Sequence, residues 1–321
     1  MKIVAVDIGG TNARFALAEV AGGRVVELGE PTVFHTADVA SFERAYAAFG
    51  EKVGALPKAM AVSFAGPVHG AVLKLTNSAW AIRPEELPRA LELDHFLILN
   101  DFGAVAHAVM QSDAVHLRPI CGPDAPLPEE GVVSIVGPGT GLGVAYARAS
   151  GGGYVVTETE GGHLDFAALD GVEDRILATM RKDYRRVSNE RLVSGPGLAH
   201  IHRVLAEIEG RAVPVRDDVA LWTAAIDGSD SLARAALDRF CLIFGAVAGD
   251  LALAQGASAV VLAGGVGLRL ADRLATSGFA ERFVAKGRFE RMMSEMPVRL
   301  ITHPQPGLFG AAAAFARRYS I

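Results

Sequence analysis

The feature that most restricts this chain is a buried strand that runs into a glycine loop and out into a second strand, used twice. Ile3-Val4-Ala5-Val6 ends on Asp7, and Ile8-Gly9-Gly10-Thr11-Asn12 turns the chain into Ala13-Arg14-Phe15-Ala16-Leu17-Ala18. About 130 residues later, Val132-Val133-Ser134-Ile135-Val136 enters Gly137-Pro138-Gly139-Thr140-Gly141-Leu142-Gly143 and leaves through Val144-Ala145-Tyr146-Ala147. A dinucleotide-binding fold needs its glycine loop to open a helix whose N-terminus faces the phosphates. Both continuations here read as strands, and no G-x-x-x-x-G-K-[ST] is present. Two related α/β units with a cleft between them are the expected architecture.

A glycine hairpin can still cradle an anion, because bare backbone lets N–H groups converge on it. Thr11 and Thr140 then sit where a hydroxyl can donate to a phosphate oxygen. Either loop alone also reads as an ordinary hairpin turn. Asp7, closing an apolar strand just before such a loop, suits a carboxylate that holds a water of a magnesium ion. Simple turn chemistry before Gly-Gly accounts for it equally well. After a third buried strand, Ala259-Val260-Val261-Leu262-Ala263, the pair Gly264-Gly265 suits backbone approached closely by a flat ligand such as adenine.

Leu97-Ile98-Leu99 reads as the end of a buried strand that delivers Asn100 and Asp101 to the start of a helix, Phe102 to Gln111. Ligand sites in α/β folds lie at such carboxyl ends of strands. Asp101 can cap that helix or accept a proton from a substrate, and the helix dipole favours its ionised form. Further on, Glu160-Gly161-Gly162-His163 and Glu190 add acceptors and donors. With Asn100 and Asp101 they make a set suited to a polyhydroxylated ligand, whose buried hydroxyls must be paired in both directions. A metal pair of Glu160 and His163 is a poor reading, because only Asp165 lies nearby as a further ligand.

Periodicity predicts helices over 38–49 with Asp38 as cap, 84–93, 171–183 and 230–255. The proline-rich stretch from Pro119 to Glu130 reads as a loop or a domain seam. Of the 321 residues half are hydrophobic, and the net charge is −5 with no basic run, so no electrostatic footprint for nucleic acid exists. No apolar stretch approaches membrane-span length, and the N-terminus has no cleavage-site pattern. A cytoplasmic protein is expected. Two distant cysteines, Cys121 and Cys241, exclude a disulfide framework and a cysteine zinc site.

Seven motifs occur in order: Asp7-Ile8-Gly9-Gly10-Thr11-Asn12-Ala13-Arg14, Thr76-Asn77-Ser78-Ala79-Trp80, Asn100-Asp101-Phe102, Gly139-Thr140-Gly141-Leu142-Gly143, Glu160-Gly161-Gly162-His163-Leu164-Asp165-Phe166, Glu190-Arg191-Leu192-Val193-Ser194-Gly195-Pro196-Gly197 and Pro306-Gly307-Leu308-Phe309-Gly310. With this order and spacing, practically the whole chain resembles the bacterial ATP-dependent glucokinase family. The resemblance implies an α/β, two-lobed actin-like ATPase (ribonuclease H-like) fold with an interlobe cleft, shared with hexokinases and heat-shock chaperone ATPases. The expected lobes are 1–112 plus 302–321 and 113–301.

It also implies transfer of the ATP γ-phosphate, with Mg²⁺, to the 6-hydroxyl of D-glucose, the entry step of glycolysis. By position Asp101 is then the base, and Asn100, Asp101, Glu160, His163 and Glu190 hold the sugar. Asn77 is a residue of the cleft that touches sugar or shapes its loop. Val6, Asp7, Ile8, Gly9, Gly10, Thr11, Gly139 and Thr140 flank the ATP phosphates, Asp7 serves the metal, and Gly264 and Gly265 pack near the adenosine.

Two other readings share these loops: a kinase for mannose, fructose or glucosamine, and a non-enzymatic ATP-driven clamp or filament protein of the actin or chaperone type. The clamp has no need of the Glu160, His163 and Glu190 set. The related sugar-kinase and repressor branch needs a cysteine-rich zinc motif and a DNA-reading domain, for which this chain has neither the cysteines nor room before Ile3. An apolar patch on the helix at 230–255 could serve a homodimer.

Overall fold

The computed structural model describes residues 1–75, 79–212 and 217–319, so Asn77 lies outside the described residues. The chain divides into two compact units, Met1–Asp113 with Val156–Glu158 and His303–Ile321, and Ala114–Val155 with Thr159–Thr302.

In the first unit β1 (Lys2–Ile8) turns through the first glycine loop into β2 (Asn12–Ala21). β3 (Arg24–Leu28) and β4 (Thr32–His35) both pair antiparallel with β2. β5 (Ala59–Phe64) lies parallel to β1 on its other edge. After a small ladder of β6 (Leu73–Lys74) and β7 (Ala81–Ile82), β8 (His95–Asn100) runs parallel to β5. The path through this sheet is β3-β2-β1-β5-β8.

The second sheet consists of β9 (Leu117–Cys121), β10 (Gly131–Pro138), β11 (Leu142–Ser150), β12 (Gly153–Thr159, of which Val156–Glu158 belong to the first unit), β13 (Ala259–Leu262) and β14 (Val298–Ile301). Their order is β12-β11-β10-β13-β14-β9, in which the first five repeat the topology of the first sheet. In each unit an antiparallel hairpin is extended by two parallel strands. Both glycine loops are hairpin turns, closed by the pairs Ile8 with Ala13 and Pro138 with Leu142.

Alternation along β1 explains how the first unit is layered, since successive side chains leave opposite faces. Val4, Val6 and Ile8 join Phe15, Phe42 and Phe49 in one core, while Ile3 and Ala5 join Leu308, Ala311, Ala312 and Phe315 in another. Asp7 therefore belongs to the face covered by the C-terminal helix Pro306–Tyr319. That helix meets the helix Asp101–Gln111 at very short range, because a Cβ on Gly310 would lie 1.8 Å from the carbonyl oxygen of Ala104.

Several expected elements are corrected. The helix expected from Asp38 begins at Phe42 and is capped by Ser41, whose side chain accepts from Arg44 N–H. The one expected over 84–93 shrinks to a single turn, Leu87–Ala90, with a proline in its first turn. Pro119 lies inside β9, an antiparallel edge strand where a missing N–H is tolerated. The long helix Ser231–Gln255 puts Leu237, Phe240, Phe244, Val247 and Leu251 into the second unit's core, so these side chains do not form the surface patch expected for a homodimer. No helix among the described residues is long and apolar enough to cross a membrane.

Candidate active site

Asn100, the last residue of β8, is the N-cap of the following helix, and Asp101 is its first residue. This corrects the expectation that Asp101 is the cap. Asn100 Oδ1 accepts from Phe102 N–H at 2.9 Å and Gly103 N–H at 3.3 Å, and its Nδ2 donates to the Gly66 carbonyl at 3.1 Å. Asp101 Oδ1 also accepts from Phe102 N–H at 2.9 Å. The helix dipole does not leave this carboxyl at an ordinary value. Burial pushes it up to about 6, against that N–H bond, and the charges of Asp7 and Glu158 add to the rise.

Asp7 closes β1 beside the first glycine loop. Ser63 Oγ donates to Asp7 Oδ1 at 2.9 Å, and Arg14 Nη1 stands 3.4 Å from Oδ2. Burial raises its pKa, with Ser63 and Arg14 opposing. A Cβ on Gly307 would lie 2.5 Å from the carboxylate, so a glycine there lets the C-terminal helix start directly against Asp7. In the loop, Gly9 N–H donates to the Asn12 carbonyl at 2.9 Å, and exposed Thr11 offers its carbonyl to Thr36 N–H at 2.9 Å. Thr36 Oγ1 lies 3.2 Å from the carbonyls of both Gly10 and Thr11. Thr36 and Ser63 are both buried and escape sequence reading, since a lone Thr or Ser carries no motif.

In the second unit Glu190 and the turn from Glu160 to His163 meet at Leu142. Its N–H donates to Glu190 Oε2 at 2.9 Å. Its carbonyl oxygen would lie 2.2 Å from a Cβ on Gly162, which is why the Glu160 to His163 turn requires glycine there. Glu160 and His163 are exposed, with Oε2 and Nε2 3.8 Å apart. Gly195 N–H donates to the Gly139 carbonyl at 2.7 Å, so the segment after Glu190 braces the second glycine loop, whose Thr140 is exposed. Asp165 pairs with Arg186 instead of joining His163. Gly264 has φ +80°, and a Cβ on it would lie 2.4 Å from the Pro138 carbonyl. Its close approach is thus to the base of the second loop; Gly265 opens onto free space.

The sequence model of the family described as Glucokinase matches residues 4–318. The chain belongs to the glucokinase family. The glucokinase of Zymomonas mobilis subsp. mobilis is 60% identical over 321 residues, covering 100% of this chain and 99% of that protein. That of Caulobacter vibrioides is 41% identical over 313 residues, 96% and 93% of the two chains. Among solved structures, a glucokinase from an Antarctic psychrotroph superposes with a TM-score of 0.88 at 33% identity over 98% of each chain. A ROK-family glucokinase from Streptomyces griseus, solved with glucose and AMPPNP, shares the fold with a TM-score of 0.63 at 19% identity, over 99% of this chain and 100% of that one. The glucokinase-family chain is thus an enzyme with the actin-like ATPase fold, and the non-enzymatic clamp reading is set aside.

Proposed function

We propose that this glucokinase-family enzyme transfers the γ-phosphoryl group of ATP to the 6-hydroxyl of D-glucose. The bond from the γ-phosphorus to the β,γ-bridging oxygen breaks, the bond from O6 to phosphorus forms, the O6 proton passes to the Asp101 carboxylate, and ADP leaves. The observation that carries this reading is Asp101 at a strand's carboxyl end, half-buried, its pKa pushed up to about 6 by desolvation. Such a group is ionised at neutral pH yet basic enough to accept a proton, as general-base work requires. Phosphoryl transfer has a loose transition state, so placing the hydroxyl matters more than base strength.

Glu160, His163, Glu190 and Asn100 hold the sugar hydroxyls. Asn100 spends Oδ1 and one Nδ2 hydrogen on the fold, which leaves, among the described residues, the other Nδ2 hydrogen for a ligand. Glu190 spends Oε2 on Leu142 and presents Oε1. The turns supply the backbone N–H groups that follow Gly9 and Gly139, with the hydroxyls of Thr11 and Thr140, to the phosphates, since the N–H groups of Gly9 and Gly139 close the turns themselves. Gly264 and Gly265 serve the adenosine. Asn77 takes part on the sugar side, on resemblance alone.

Magnesium keeps most of its waters and is held by one or two carboxylates together with substrate phosphates. Asp7 fits that mode: it is a half-buried carboxylate that Ser63 and Arg14 compensate only in part. The ion would neutralise charge on the phosphates, and Asp7 is the residue that would hold it through a water. A location in the cytoplasm accords with this substrate pair.

The test is ADP production by purified protein with ATP and Mg²⁺, with and without glucose, and with mannose, fructose and glucosamine in turn. Glucose-dependent ADP with a kcat/KM above that for the other sugars is expected. Sugar-independent turnover, or a better substrate among the rivals, overturns the reading.

A further inference from the structure

The N-terminus of a helix leaves backbone N–H groups without partners, and a capping box satisfies them in both directions. The N-cap side chain reaches forward, and a Glu or Gln at the third helical position reaches back to the N-cap's own N–H. Asn100 makes the forward half, through Oδ1 to Phe102 and Gly103. The third helical position is Gly103, which has no side chain to reach back.

Its place is taken by a residue from β12. Much of Glu158 is open to solvent, but its carboxylate lies against the first turn of the helix. A Cβ on Gly103 would stand 1.9 Å from Glu158 Oε1 and 2.7 Å from its Cδ. Burial raises the pKa of this carboxyl, and the nearby backbone N–H of Asn100 draws it back down. Gly103 is buried, so the space Glu158 fills is one that no other side chain at that position could share.

We propose that Glu158 is a positioning residue for Asp101, supplying from β12 the carboxylate that a capping box would carry at Gly103. The proposal rests on Asp101 being the base. Asp101 lies between the two anchored residues Asn100 and Gly103, so its backbone is held from both sides. Rotation of this first turn would move the carboxylate away from the hydroxyl it serves, and a displacement of about 1 Å at a reacting group can cost up to a hundredfold in rate. Glu158 also precedes Glu160 by two positions on the same segment. One stretch of chain thus carries both the anchor of the base and a ligand of the sugar.

Four variants test this, each measured for kcat, for KM of glucose and ATP, and for Tm: Glu158→Ala, Glu158→Gln, Gly103→Glu combined with Glu158→Ala, and Asp101→Asn. Glu158→Ala is expected to lose about tenfold or more in kcat while both KM values stay within about twofold. Glu158→Gln keeps an acceptor for Asn100 N–H and should recover most of that loss. The double variant carries a capping box within the helix itself and should recover kcat as well. Wild-type kcat in Glu158→Ala, or a loss that neither rescue repairs, overturns the proposal. The Asp101→Asn arm separates the two readings. If it retains wild-type turnover the base assignment has failed; if it is inactive while the Glu158 variants are unaffected, only the role of Glu158 has.

Discussion

At the scale of single residues, Asp101 shows function working against stability. Its carboxyl is raised from 3.8 to about 6, chiefly by burial. The folded-state value lies above the unfolded one, so the cost is absent below the unfolded pKa and complete above the folded one. At neutral pH it opposes folding by up to roughly 3 kcal/mol. Asp101→Asn should therefore be almost inactive yet raise Tm by several degrees at about pH 7.5, with the advantage fading toward pH 4. Paired melting curves at the two pH values check this, and equal Tm shifts at both would be inconsistent with it. In the wild type, kcat/KM should fall on the acid side with an apparent pKa of about 6. Glu160→Gln should raise KM for glucose several-fold and KM for ATP little, read from steady-state kinetics.

Among the elements, the C-terminal helix and the Asp101 helix are joined by close backbone packing. A Cβ on Gly310 would fall 1.8 Å from the Ala104 carbonyl oxygen, and backbone cannot swing aside as a side chain can. Gly310→Ala is expected to cost about 2–4 kcal/mol in urea unfolding, through overpacking that forces the two helices apart. Gly171→Ala is the contrasting substitution, because a Cβ there meets nothing within 4 Å at the start of the helix Gly171–Asp183. It should be neutral or stabilise by up to about 1 kcal/mol. If both changes behave alike, close approach is not what places glycine at 310. The helix Ser231–Gln255 shows why an apolar stripe is ambiguous in sequence: its large side chains fill the second unit's core.

For the whole molecule, one topology serves two units, each with its own sheet and its own glycine hairpin. The repeated strand–loop–strand pattern was legible because hairpin and buried-strand signals are local in the chain. Around it the two units carry different chemistry. The first holds Asp7, Asn100 and Asp101; the second holds Gly139, Glu160, His163 and Glu190, with Glu190 and the Gly162 turn meeting at Leu142. A sugar bound by the second set should stabilise the protein by mass action. Glucose at about a hundred times its Kd is expected to add about 2.7 kcal/mol. That shift should appear as a higher Tm in the wild type and vanish in Glu160→Ala. A full shift in the variant would remove Glu160 from the sugar site.

Local pattern alone determined much of this protein. It placed both glycine loops between strands, excluded a dinucleotide fold, and put Asn100 and Asp101 where a strand hands over to a helix. The motifs in order then identified the family. What local pattern could not supply are contacts between residues far apart in the chain: Ser63 on Asp7, Thr36 under the first loop, Gly162 and Glu190 on Leu142, and Glu158 in the space that Gly103 leaves. None of these has a periodic signal, because each exists only once distant segments are packed. The same holds for the acidity of Asp101. A helix N-terminus predicts an ionised group of ordinary or lowered pKa, whereas burial decides the sign of the shift, and burial is a property of the packed fold.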